Sequence, residues 1–157
     1  MIQRIQSLFI LIAAISYAAC FFFPFWIYTS TDPLYTYEVS LFSIKCINGE
    51  PQPFYLGTLP IIVLVTVSTI LSLVSLFSFK NRATQIKLNN FNVFISLFLI
   101  FTLFYWIPSI IENKLLTAIS LWQIGLLFPL IAVVLLIIAN IFIKKDEKLV
   151  KSSDRLR

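Results

Sequence analysis

The sequence predicts an all-α membrane protein, a bundle of four transmembrane helices with a small β-element in the first outer loop. Hydrophobic residues make up 59% of the 157 residues and charged residues 12%, against about 25% charge in an average soluble domain. The mean hydropathy is +0.94. About 20 helical residues cross a bilayer, and four uncharged runs exceed that length: 5–31, 51–79, 88–111 and 115–143. This composition excludes a soluble enzyme, a nucleic-acid-binding domain and a disordered chain.

Helix start and stop signals divide the chain, a single membrane domain over 1–157, into four spans. Pro24 ends the first span, and Pro60 suits the first turn of the second. Asn89 and Asn90 are good N-cap residues for the third. No cleaved signal peptide is expected, because the apolar run continues beyond Cys20. The predicted spans are about 5–24, 58–79, 90–111 and 116–143.

The charges are distributed unequally between the two sides of the membrane. Arg4, the segment 80–87 and the tail 144–157 carry net charges of +1, +3 and +3, whereas the outer loop carries −2. The positive-inside rule therefore predicts a bacterial inner-membrane, multi-pass protein with both termini cytoplasmic and the loop 25–57 periplasmic. The tryptophans agree, because each falls at the outer end of a span, where indole rings anchor at the headgroups. These candidate interface anchors are Trp26, Trp106 and Trp122.

The first outer loop contains a candidate β-element. Segment 34–47 is rich in Tyr, Val, Ile, Phe and Thr and partly alternates, which predicts a strand or a bent strand pair. Asn48 and Gly49 then supply a turn. A lone ribbon is marginally stable in water, so the element is expected to pack on something. It is either a lid over the chain's own helices or an edge strand offered to a partner.

Residues that carry out catalysis are scarce. The chain has no histidine, and no Asp, Glu, Lys or Arg lies inside a predicted span. The first absence excludes Ser-His-Asp and Cys-His sites; the second argues against ion-coupled transport, which needs ionisable groups within the membrane. No catalytic residue, metal ligand or cofactor is therefore predicted. Cys20 and Cys46 both face the outer side, where a disulfide is permitted, and either a bridge or two free cysteines would fit.

Small and polar residues mark two helix faces. Ser68, Ser72 and Ser75 share one face of the second span. Small residues four apart let helix backbones approach closely, so such faces are either seams inside the bundle or docking faces for another membrane protein. On the fourth span the corresponding residues are Gly125, Pro129, Ala132, Leu136 and Ala139.

Four stretches carry a family resemblance. They are the opening MIQRIQSLF, the inner-loop FKNRATQIKLNNFN, the G-x-x-x-P pattern of Gly125 and Pro129, and the terminal KDEKLVKSSDRLR. The chain resembles, over its whole length, a domain-of-unknown-function family of small bacterial four-span inner-membrane proteins with a C-terminal KDEKLVRSxDRLR-like tail. The resemblance implies no activity and no catalytic residues, but it implies that the signature positions are cytoplasmic. The topology is also similar to that of claudins, although the W-x-x-W-C-C motif of the claudin loop is absent.

The expected function is that of a non-enzymatic accessory or scaffold subunit of a larger membrane complex, with membrane lipids and another integral membrane protein as partners and no nucleic acid. The tail is either a stop-transfer signal that contacts anionic lipid or a protein-docking motif. The alternative function is a binder or conduit for a lipid or other apolar small molecule, at the aromatic segments 21–26 and 101–106. The candidate partner-docking residues are Arg82, Gln85, Asp154, Arg155 and Arg157.

Overall fold

The computed structural model describes residues 3–30, 36–47, 55–79, 81–112 and 118–154. Within these ranges the chain is mostly helical with a small antiparallel sheet, which confirms the predicted fold class. The helices are α1 (Gln3–Ala19), α2 (Tyr55–Phe77), α3 (Arg82–Phe101), α4 (Ile107–Glu112) and α5 (Leu127–Asp154). The strands are β1 (Trp26–Ser30), β2 (Thr36–Val39), β3 (Ile44–Cys46) and β4 (Ala118–Trp122).

The long helices form a bundle in which α1 packs against α2 and α5, and α3 packs on the other sides of the same two helices. Gln6 near the start of α1 contacts Asp146 in the last part of α5, so these two parts of the chain lie at one end of the bundle, here called the terminal end. The opposite end, which carries the strands, is the sheet end. Three segments are long and apolar enough to cross a membrane, and Ile5–Ala19 is a shorter apolar helix. The three are Gly57–Phe77, Arg82–Ile111 and Ile124–Glu147.

The sheet has the order β3-β2-β1-β4, and every neighbouring pair is antiparallel. Its inner face packs on the helix ends, because Tyr28 and Val39 are fully buried in one core with Leu103 and Ile107. The predicted β-element over 34–47 corresponds to β2 and β3, whereas β1 and β4 were not predicted as strands. The predicted turn at 48–49 lies outside the described residues.

The first helix ends earlier and the third begins earlier than the sequence predicts. Three successive i→i−3 hydrogen bonds, from the N–H groups of residues 20–22, tighten the end of α1 after Ala19. Helix α3 begins at Arg82, because the Asn81 side chain accepts a hydrogen bond from the backbone N–H of Thr84 and caps the helix. Asn89, predicted as a cap, instead lies inside α3 and is fully buried.

The fourth span also differs from the prediction, which began it near residue 116. Residues Ala118–Trp122 form β4, a 3₁₀ turn follows at Ile124–Leu126, and only then does α5 begin. A short apolar run fits a strand or a helix equally well, so periodicity does not decide between them. Here β1 decides, since all five residues of β4 pair with it.

Candidate functional site: a polar seam, a sheet end and an aromatic helix face

Buried polar side chains line the contact between α2 and α3. Each is at most 3% exposed, although the surrounding helices are apolar. Of the two alternatives for the serine face of α2, a seam inside the bundle or a docking face, the structure has the seam. We call this set the polar seam; it consists of Ser68, Ser72 and Ser75 of α2 with Gln85, Asn89, Asn92 and Ser96 of α3.

Asn92 is the centre of the seam. Its Nδ2 donates to the Ser72 hydroxyl at 2.8 Å and to the Ser68 carbonyl at 3.1 Å. The backbone carbonyl of Asn92 accepts a hydrogen bond from the Ser96 hydroxyl at 2.6 Å. The Tyr17 hydroxyl lies 2.5 Å from Ser96 Oγ, and since the Ser96 proton is already donated, Tyr17 is the donor. The seam thus connects α1, α2 and α3 at one level of the bundle.

One turn nearer the terminal end, Ser75 joins the same two helices. Its hydroxyl donates to Asn89 Oδ1 at 2.5 Å, and its carbonyl accepts from Gln85 Nε2 at 3.2 Å. Gln85 was a candidate docking residue, but it is 3% exposed. Its amide therefore serves the contact between α2 and α3 and is not presented to a partner.

Some polar atoms of the seam are left over. Among the described residues, Ser68 Oγ, Asn89 Nδ2 and Asn92 Oδ1 are buried without a hydrogen-bond partner. An unpaired buried polar group costs about 1–3 kcal/mol, comparable to what a hydrogen bond contributes. The seam therefore specifies which helix faces meet more than it stabilises their contact.

The other candidate docking residues lie at the terminal end. Arg82 is half-buried at the first residue of α3, and Asp154 is the last residue of α5. Arg155 and Arg157 lie outside the described residues. Docking through this end remains a prediction. What the structure adds is that Gln6 donates to Asp146, which is 7% exposed, and so ties α1 to α5 there.

A π-helical turn interrupts the helix between α3 and α4. It covers Thr102–Trp106, and the N–H of Ile107 donates to the Thr102 carbonyl, five residues back. The same spacing would pair the Leu103 carbonyl with residue 108, but Pro108 has no N–H. Trp26 Nε1 donates to that carbonyl at 2.9 Å. Pro108 therefore leaves the Leu103 carbonyl without a donor from its own helix, and the indole N–H of Trp26 supplies one.

Gly125 joins the sheet end to α5. Its N–H donates to the Pro24 carbonyl at 3.1 Å. A Cβ at position 125 would lie 2.2 Å from Pro24 O and 2.8 Å from Pro24 C, so only glycine permits this approach. The sequence analysis placed Gly125 on a small-residue face of the fourth span, whereas it lies in the 3₁₀ turn before α5, and its small size is required by the close contact with the Pro24 backbone.

The three tryptophans all lie at the sheet end. Trp26 is half-buried and bonded to Leu103, whereas Trp106 is 48% and Trp122 68% exposed. Trp26 thus has a structural role in addition to the predicted anchoring at the headgroups. Membrane anchoring by all three remains a prediction.

Cys20 and Cys46 are both free, so of the two alternatives the structure has unbridged cysteines. Cys20 is buried, with Sγ 3.6 Å from the Ser16 carbonyl, and Cys46 is half-buried at the end of β3. Across the part of the chain that the structure describes, no three Cys, Asp or Glu side chains come together as metal ligands would.

Exposed aromatic side chains are concentrated on the face of α3 and the π turn that points away from the bundle. All exposed large hydrophobic residues there are aromatic except Leu97, whereas those of α1 and α5 are Ile, Leu and Val. Over residues 57–77 of α2, where side-chain exposure is described, the exposed large hydrophobic residues are aliphatic too, apart from Phe77 at the end of the helix. Five of the aromatic residues follow one another at alternating steps of three and four and are 53–63% exposed. We call these five the aromatic face: Phe91, Phe94, Phe98, Phe101 and Tyr105.

The fold and these features define the class of protein as an integral membrane protein made of an apolar helical bundle capped by a small sheet. The family model described as a domain of unknown function, DUF4293, matches residues 2–156, and the chain belongs to that family. The resemblance stated from the sequence is thereby confirmed. No curated protein matches the chain.

Proposed function

We propose that the chain is a non-enzymatic accessory or scaffold subunit of a larger membrane complex, and that the aromatic face binds a transmembrane helix of another integral membrane protein. The single observation that carries the proposal is that exposed aromatic residues are concentrated along α3 and the π turn, whereas along the other long helices the described exposed large hydrophobic side chains are aliphatic apart from Phe77. Lipid tails make no demand for rings on one helix and aliphatic side chains on the others. Protein contacts do, because aromatic side chains dominate interface energetics.

The spacing supports a helix as the binding element. Steps of three and four residues keep a side-chain row on one face of a helix, which is the geometry that packs against another helix at about 20°. Two contacts within the row fix its shape: the Phe94 and Phe98 rings meet edge to face, and those of Phe101 and Tyr105 stack, each pair with centroids 5.1 Å apart. The row is therefore an ordered surface.

The test is native mass spectrometry after mild detergent extraction. Replacing Phe94, Phe98 and Phe101 together by Leu keeps the face apolar and insertion intact but removes the rings. We expect at least a tenfold loss of the co-purifying protein. Leu at Ile131, Val134 and Ile141 of α5 is the matched control, since these residues are 45–60% exposed. Equal recovery from both variants would refute the proposal.

A second candidate is the binding of a lipid or other apolar small molecule at the sheet end of the same face. Its support is the cluster of rings there, in which Phe104 meets Trp26 edge to face at 5.8 Å and Tyr105 is 63% exposed. The same experiment separates the candidates. A bound lipid or quinone that Tyr105→Leu removes, with no protein at stoichiometric amounts, would favour this one.

The proposal includes a bacterial inner-membrane location with both termini in the cytoplasm, supported by the excess of Lys and Arg at the terminal end. A reporter fused after Arg157 should report a cytoplasmic position, and one inserted near Asn48 a periplasmic position. The reverse pattern would contradict the orientation.

A further inference from the structure

The two edges of the sheet differ in how they are protected. Edge strand β3 is three residues long and carries the exposed Lys45, and short length and lysine are the usual guards against pairing with another chain. Edge strand β4 is five residues long and has no charge and no proline. Its Ile119, Leu121 and Trp122 are 64%, 51% and 68% exposed. Of the two edge strands that the structure describes, β4 is the one without these guards.

The contacts of β4 with β1 show which of its backbone groups are free for pairing. The N–H of Gln123 donates to the Phe25 carbonyl at 3.0 Å, so residue 123 points its backbone groups toward β1. The direction of the backbone N–H and C=O groups alternates from residue to residue along a strand, so those of Ile119 and Leu121 also point toward β1. The backbone groups on the open side belong to Ala118, Ser120 and Trp122.

We propose that β4 pairs antiparallel with β4 of a second copy of this chain, about a two-fold axis through Ser120. In that register the N–H and C=O of Ser120 bond to Ser120 of the second copy, and residue 118 bonds to residue 122 at either side. Every open-side group of the strand is then paired. Side chains also match, since Ile119 lies opposite Leu121 of the second copy.

Charge and symmetry favour a second copy over a different protein. The charged residues in the described strands, Glu38 and Lys45, lie opposite each other on β2 and β3, so no like charges meet when two β4 edges approach. Two-fold dimers are the commonest oligomers because one patch serves both subunits. The contact is at the sheet end and does not use the aromatic face, so the dimer can be tested independently of the proposed function.

Such a dimer is expected to be weak outside the membrane. A pair of five-residue strands buries less than the roughly 1,200 Å² of a stable complex in solution. The test is therefore made in membranes. In a Cys20→Ala, Cys46→Ala background, Ser120→Cys should cross-link to a second copy on mild oxidation, since directly paired residues have Cα atoms about 5.5 Å apart, within disulfide reach.

The matched control is Lys45→Cys, which places an exposed thiol on the other edge of the same sheet. We expect at least tenfold more covalent dimer from Ser120→Cys than from this control. Equal yields from both variants, or none from Ser120→Cys, would overturn the proposal.

A charge exchange tests the symmetry directly. Ser120 is exposed, so Ser120→Lys and Ser120→Glu should fold like the wild type, yet each alone should abolish energy transfer between two labelled copies in vesicles. Mixing the two variants should restore it. No restoration would overturn the proposal. Loss of a different co-purifying protein, with no self-association of the wild type, would assign the edge to that protein and overturn the dimer.

Discussion

The polar seam and the sheet end both place polar groups in apolar surroundings, but by different means. In the seam, side chains bond to side chains and to carbonyls of a neighbouring helix, and several atoms remain unpaired. At the sheet end, single residues satisfy backbone groups: Trp26 serves the Leu103 carbonyl and Gly125 serves the Pro24 carbonyl. The seam spreads its contacts over many residues, so we expect the sheet end to be more sensitive to single substitutions.

The largest effect is expected for Gly125→Ala. The new Cβ would meet the Pro24 backbone at 2.2 Å, and backbone cannot move aside as a flexible side chain can. Overpacking of this kind costs up to about 3 kcal/mol in the free energy of unfolding. Unfolding in mixed detergent micelles measures it.

Gly57→Ala is the matched control. Its Cβ would lie 3.8 Å from Ile110 Cδ1, an ordinary contact, and alanine favours helix over glycine by up to about 1 kcal/mol. Equal stability of the two variants would show that the junction between the sheet and α5 is not tight.

The next largest effect is expected for Trp26→Phe, which keeps a ring but removes the indole N–H. The Leu103 carbonyl is then left unpaired, at a cost of about 2 kcal/mol in unfolding free energy. A double-mutant cycle with Pro108→Ala isolates the cause, because alanine restores an N–H that can serve the carbonyl. The Trp26→Phe cost should fall by at least half in that background. An unchanged cost would mean that Trp26 acts by packing alone.

A smaller effect is expected for Asn92→Ala in the seam. The substitution removes two donor bonds but also the unpaired Oδ1, and hydrogen bonds between membrane helices contribute about 0.6 kcal/mol each. We therefore expect a loss of about 1 kcal/mol, measured as above. Leu97→Ala, exposed on the same helix, is the control and should cost less. A loss larger than that of Trp26→Phe would reverse the comparison between the two regions.

The sequence predicts the seam better than the sheet end for a physical reason. Ser68, Ser72 and Ser75 repeat at helical spacing, so their shared face follows from local periodicity. β4 becomes a strand only because β1, about 90 residues earlier, supplies its hydrogen bonds, and no local pattern contains that information. Pro108 did carry a signal, since a proline within a helix orphans a carbonyl, but nothing local identifies Trp26 as the donor.

Partner-docking residues are harder to predict from the sequence than either the seam or the sheet end, as Gln85 illustrates. On a charged inner loop a glutamine fits docking or packing equally well, and only the tertiary contact with the Ser75 carbonyl decides for packing. Of the aromatic face, the sequence analysis singled out only the segment 101–106, which contains Phe101 and Tyr105. Its significance depends on which residues the bundle leaves exposed, and that requires the fold.

Substitutions in the C-terminal tail, which belongs neither to the polar seam nor to the sheet end, are expected to have no effect on the free energy of unfolding. A stop-transfer segment that contacts lipid depends on positive charge and is weakened by salt, because charges are screened within about 10 Å at 0.1 M. A docking motif depends on geometry, because a guanidinium makes bidentate contacts that an ammonium cannot. We therefore expect Arg155→Lys to reduce partner recovery several-fold while unfolding and orientation stay as in the wild type, and Asp154→Asn to act likewise. Full recovery with both variants would identify the tail as an anchor and leave the aromatic face as the site of partner binding.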